Sequence, residues 1–155
     1  MQSRTIAAFA ALALAPDVIA ATPKLPPAPI LRLANAAMQA ANMNDASAFV
    51  GLYTNDATVV DEIPPFLWRG AGAGSAWWHA VSAFAQKMKI THIRAIDIRV
   101  GEFRETPTDA YLVEPMTVAG IANGKPFAEA GTTTYTFHKS GGIWLISSQI
   151  WTTKP

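Results

Sequence analysis

The 155-residue chain has no cysteine. That absence excludes disulfides, thiol nucleophiles and cysteine-ligated zinc together. It leaves export open, because a domain with a full core holds without disulfides. Charge is scarce too: 12 Lys and Arg against 11 Asp and Glu leave a net charge of +1. With no basic surplus to neutralise phosphates, nucleic acid is not an expected partner. No two histidines stand at metal-ligand spacing on one helix, so no metal is expected. Gly70-Ala71-Gly72-Ala73-Gly74 lacks the lysine and the βαβ context of a phosphate loop, and reads as a flexible lead into a helix. No internal repeat or low-complexity tract is present.

What the chain does have is apolar residues, 50% of the total. That excludes disorder and suffices for one domain with a real core. Arg4, the apolar run Thr5 to Ala15 and the small residues at Val18 to Ala21 have the pattern of an export signal, with cleavage after Ala20 or Ala21. The run falls short of the ~20 residues a spanning helix needs. The alternative, an Ala-rich first helix of the domain, is broken by Pro16 and the prolines beyond it. The expected organisation is a signal peptide over 1–21, a stiff Pro-rich tether over 22–29 and one domain over 30–155. The mature protein is then periplasmic or secreted, with no membrane span.

Helical spacing runs from Ile30 to Asn42, with Leu31, Leu33, Ala37, Met38 and Ala41 as its buried stripe. Asp45 suits the N-cap of a short second helix carrying Phe49, Val50 and Tyr53. Asn55-Asp56 leads into a strand over Ala57–Glu62, stopped by Pro64-Pro65. A third helix spans Ser75–Lys87, with Trp77, Val81, Phe84 and Met88 on one face. Four β-rich segments follow, at 90–104, 109–122, 126–139 and 143–152, separated by turn signals. Helices first and an antiparallel meander afterwards predict an α+β fold, with the helices on one face of the sheet.

Asn123-Gly124 is the dipeptide of a two-residue hairpin turn. It sets Glu114 opposite Thr133, Met116 opposite Gly131, Val118 opposite Glu129 and Leu112 opposite Tyr135, all on one face. A three-residue loop at Ser140-Gly141-Gly142 would place Thr133 opposite Gln149, Gly131 opposite Trp151 and Tyr135 opposite Ser147. A two-residue loop there would swap the faces. The mixture of large apolar groups with a few polar ones suits a small-molecule pocket. Trp144, Ile146 and Ile150 fall on the opposite face, which points to cover by a second copy of the chain.

The run Asn44-Asp45-Ala46 through Leu52-Tyr53-Thr54-Asn55-Asp56-Ala57-Thr58-Val59-Val60-Asp61, then Trp68-Arg69-Gly70 and the tail Tyr135 to Trp151, resembles the nuclear-transport-factor-2-like superfamily, in its SnoaL-like and ketosteroid isomerase-like branch. The resemblance covers nearly all of the chain after residue 30. It implies a cone-shaped, curved antiparallel sheet with three N-terminal helices packed on its concave face, enclosing a pocket. It also places Asp61 at the general-base position, and Trp151 and Trp78 at pocket-lining positions. The isomerase's oxyanion donors fall at Ala37 and Thr133, which argues against steroid isomerisation.

The candidate catalytic residues are therefore Asp61 and Glu114, two carboxylates in an apolar site whose pKa values would separate into an acid and a base. The bland readings are a strand-end Asp61 paired with Arg69, and a Glu114 paired with Arg94 or Arg99. Tyr53, Trp78, Met116, Thr133, Tyr135, Gln149 and Trp151 complete the candidate substrate-binding set. Trp77 reads as core, Glu129 as rim, and His92 is the one histidine expected to approach the interior. Two functions fit. One is a cofactor-independent isomerase or dehydratase acting on a small hydrophobic substrate; the other is a non-catalytic ligand-binding or dimerisation module.

Overall fold

The computed structural model describes residues 24–154. The signal-peptide reading of 1–21 lies outside them. In chain order the elements are α1 (Ala28–Met43), α2 (Ala46–Val50), β1 (Tyr53–Val60), β2 (Leu67–Arg69), α3 (Ala73–Lys87), β3 (Ile90–Ile96), β4 (Phe103–Glu105), β5 (Asp109–Ala122), β6 (Lys125–Ser140) and β7 (Ile143–Thr153). The fold is α+β: one curved, unclosed sheet of seven strands, ordered β2-β1-β7-β6-β5-β3 with β4 also on β5. All pairings are antiparallel except β1 with β7, which is parallel. The helices connect elements at the N-terminal side, and α1 packs against both β3 and β7.

Local chemistry explains most boundaries. Pro27 caps α1 and Pro29 sits in its first turn, where a missing N–H costs nothing. Ala28 and Pro29, read as tether, thus belong to the helix. Its buried stripe is Ile30, Ala34, Ala37, Met38 and Ala40, rotated slightly from the expected one. Asn44, at φ 56°, ends it in the left-handed conformation that closes helices. The Asp45 carboxylate accepts from Ala48 N at 3.0 Å and caps α2. α2 ends at Val50, so Tyr53 is the first residue of β1 rather than part of a helix. The segment expected as one strand over 90–104 is two, β3 and β4, because Asp97 at φ 54° turns the chain out of the ladder.

The β5–β6 hairpin has the expected register, with Glu114 opposite Thr133 and Leu112 opposite Tyr135. The β6–β7 hairpin does not. Its turn is the two-residue Gly141-Gly142, so Ser140 faces Ile143 and Phe137 faces Ile146. A bulge between Thr136 and Phe137 then restores the parity, and Thr133 faces Trp151 while Tyr135 faces Gln149. One extra residue on the bulged strand reverses which side its neighbours point to. The consequence is a correction: Ile146 lies in the core, fully buried, and Trp144 packs half-buried against that core. Ile150, paired with Thr134, remains on the outer face.

Candidate functional site

Two rows now cross the concave face. Leu112, Tyr135 and Gln149 form one, and Glu114, Thr133 and Trp151 form the next. β1 extends the second row: Val59 is level with Gln149 and Val60 with Ile150, which brings Asp61 level with Trp151 one step further on. The buried polar residues described are Asp61, Glu114, Thr133 and Gln149. Every one is a residue that the sequence marks as a candidate.

Asp61 is 9% exposed. Its Oδ1 accepts from Ile63 N at 3.1 Å and its Oδ2 from Trp77 Nε1 at 2.9 Å. Burial raises its pKa, and the bonds from Trp77, Ile63 and Glu62 oppose that rise while the nearby Glu62 carboxylate adds to it. The partner is Trp77 rather than Arg69. Trp77, read from sequence as core, packs against the core as expected and also donates to Asp61. The only sequence signal for it was an indole N–H on a helix that must face β1, which requires the fold to interpret.

Glu114 is 2% exposed, and its Oε2 is buried with no hydrogen-bond partner. Burial alone pushes its pKa up to about 7. Among the described residues it makes no ion pair with Arg94 or Arg99. Beside it, the Tyr135 hydroxyl is also buried without a partner, and burial first, then the Glu114 charge, raises its pKa. Tyr53 donates its hydroxyl to Gln149 Oε1, and Thr133 donates to the Met116 sulfur at 3.6 Å. Glu129 is exposed, as expected of rim, whereas His92, expected to approach the interior, is exposed too.

The aromatic candidates divide. Trp78 packs edge-on to Trp77 and against Phe49, with ring centroids 6.3 and 5.0 Å away. Trp151 lies against Gly131 and fills the space that the missing side chain leaves in the middle of the face. The two carboxylates are not a coupled pair: neither contributes to the other's pKa shift. Three strand spacings separate their positions along the sheet, on the order of 14 Å. Two surface concavities, of about 490 and 430 Å³, lie elsewhere, one beneath α1 at Trp144 and one at Asp97–Arg99.

Solved structures with this fold are numerous. A ketosteroid isomerase-like protein from Erwinia carotovora atroseptica superposes with a TM-score of 0.69 at 18% identity, over 83% of this chain and 96% of that one. The fold is nuclear-transport-factor-2-like. LinA, a hexachlorocyclohexane dehydrochlorinase, follows at 0.67 and 14% identity, covering 83% and 85%. A calcium/calmodulin-dependent protein kinase II association domain from Thiobacillus denitrificans gives 0.65 at 10%, covering 79% and 93%. These nuclear-transport-factor-2-like neighbours thus include enzymes and an association domain, and at such identities they establish the fold alone. No protein-family model and no curated protein matches the chain.

Proposed function

We propose that this protein binds a small hydrophobic molecule on the concave side of the sheet and moves a proton on it without a cofactor, as isomerases and dehydratases do. Asp61 is the general base. Glu114 returns the proton or steadies the developing charge, with Thr133 and Gln149 as hydrogen-bonding neighbours. The observation that carries this reading is the state of Glu114: 2% exposed, unpartnered at Oε2 and pushed up to about 7. A carboxylic acid that titrates near neutrality is suited to accept and release protons at working pH. Asp61 differs because its donors Trp77 and Ile63 favour the charged form. The two groups therefore have different proton affinities by environment.

Proton exchange at the carbon beside the carbonyl of cyclohexanone in D₂O, followed by NMR, tests this without knowledge of the substrate. Wild type should accelerate the exchange, and Asp61→Asn should remove about 10²-fold or more of it. Equal exchange by the two proteins would sink Asp61 as the base.

The second reading is a binding or dimerisation module. It is favoured by the packing: Leu112, Tyr135, Phe137 and Ile146 are fully buried around the polar row. A ligand retained unchanged, and bound equally by wild type and Asp61→Asn, would decide for it. Export through residues 1–21 belongs to the proposal, and N-terminal sequencing of the secreted protein tests it. So does a homodimer through the outer face around Ile150, which size-exclusion chromatography of Ile150→Asp tests.

A further inference from the structure

We infer that the hollow between α1 and the end of the β6–β7 hairpin is a second ligand site, which takes a small organic anion: a carboxylate carried on a flat apolar body. The hollow has a volume of about 490 Å³, within the range of small-molecule sites. Pro29, Arg32, Leu33 and Ala36 of α1 form one wall. Their i, i+3, i+4, i+7 spacing puts them on a single helix face. Lys139 and Trp144, cross-strand partners on β6 and β7, form the other wall. The next inward pair along the hairpin, Phe137 with Ile146, is fully buried. It separates this hollow from the row of Tyr135 and Gln149, so the site is distinct from the one proposed for proton transfer.

Charge selects the polar end of the ligand. Arg32 and Lys139 bring two cations to the hollow, and no acidic residue is among those that line it. Among the described residues neither cation is in an ion pair. The carboxylates at this end of the sheet are already engaged, Glu105 with Lys24 and Asp109 with His138. Lys139 is half-buried, and its ammonium lies over the Trp144 ring, 5.7 Å from the centroid. That contact orients the ammonium without neutralising it. A guanidinium and an ammonium lining one space attract a carboxylate, which the Arg fork is shaped to hold with two parallel bonds. The remaining walls select the body. Trp144, Leu33 and Ala36 are half-buried, and an indole facing aliphatic side chains gains from covering an apolar ring. A neutral molecule would leave both cations unpaired, and a cation would be repelled by both.

Titration of the protein with 2-naphthoate, 2-naphthylmethanol and inorganic phosphate, followed by NMR at the Trp144 indole N–H, tests the inference. The carboxylate should bind about tenfold more tightly than the alcohol of the same shape, and more tightly than phosphate, which has no apolar body. Arg32→Gln and Lys139→Gln should each weaken 2-naphthoate about fivefold while leaving the alcohol unchanged, the worth of one partly solvated charge contact. Equal binding of carboxylate and alcohol would overturn the inference, because the cations would then select nothing. Phosphate bound as tightly as 2-naphthoate would overturn it too, because the apolar walls would be idle. A carboxylate preference that survives both substitutions, or that leaves the Trp144 signal unmoved, would place the anion elsewhere and overturn it as well. So would binding of none of the three.

Discussion

A methyl group on Gly131 would lie 2.3 Å from the ring of Trp151, and 2.6 Å from the backbone oxygen of Thr152. The two residues are diagonal neighbours on β6 and β7, since Gly131 pairs with Thr153 and Trp151 with Thr133. The absence of a side chain at 131 is what allows the indole to lie against the strand there. Gly131→Ala must therefore displace both a large ring and a strand. A loss of about 1–3 kcal/mol is expected from this overpacking, read by urea denaturation with tryptophan fluorescence. A neutral substitution would mean that the ring does not lie there.

Glu114 gives stability an unusual pH dependence. Its folded pKa of about 7 exceeds the ordinary 4.5. Below pH 4.5 both states are protonated and the group has no effect. Between pH 4.5 and 7 the unfolded chain ionises first, so this contribution to stability falls as pH rises, by about 3 kcal/mol in total, and stays lost above pH 7. Glu114→Gln should accordingly be more stable than wild type at pH 8 and similar to it at pH 4. Equal pH profiles for the two proteins would show that Glu114 titrates normally.

The bulge in β7 predicts opposite outcomes for two isoleucines four residues apart. Ile146 is fully buried, so Ile146→Ala should cost about 2–5 kcal/mol. Ile150, half-buried on the outer face, should cost about 1 kcal/mol or less in the same experiment on the monomer. Similar costs at both positions would mean that the strand carries no bulge.

Burial raises the Asp61 pKa, and Trp77 opposes that rise through one bond of 2.9 Å. Trp77→Phe keeps a ring for packing against Phe49 but removes the donor. With that stabilisation gone, the Asp61 pKa should rise further, and the onset of base-dependent activity should move to higher pH. Carbon-13 NMR of the Asp61 carboxyl measures this without reference to turnover, and an unmoved titration would show that Trp77 only packs.

Tyr53 and Gln149 are buried together. Tyr53→Phe strands the Gln149 oxygen and should cost about 1–3 kcal/mol, measured by thermal or urea unfolding. A neutral result would mean that Gln149 finds another donor.

Much of this protein is determined locally. Helix starts at Pro27 and Asp45, the two-residue turn at Asn123-Gly124 and the alternation along β5 and β6 each follow from backbone chemistry within a few residues. They were enough to place Glu114 opposite Thr133 on one buried face, whereas Asp61 came from the family resemblance and Gln149 reaches that face through a bulge instead of the expected three-residue loop. What tertiary structure alone decided depends on partners distant in sequence. The β6–β7 register rests on a two-residue turn, which carries Trp144 and Ile146 from the expected outer face to the interior, and on a bulge that Gly141-Gly142 does not encode, which returns Gln149 and Trp151 to the inner face. The indole that holds Asp61 comes from α3, whose placement over β1 is set by packing of the whole core. Whether Glu114 has a partner also depends on which side chains four strands bring together. Hydrogen bonding in a core is a property of the assembled neighbourhood, and no stretch of sequence contains it.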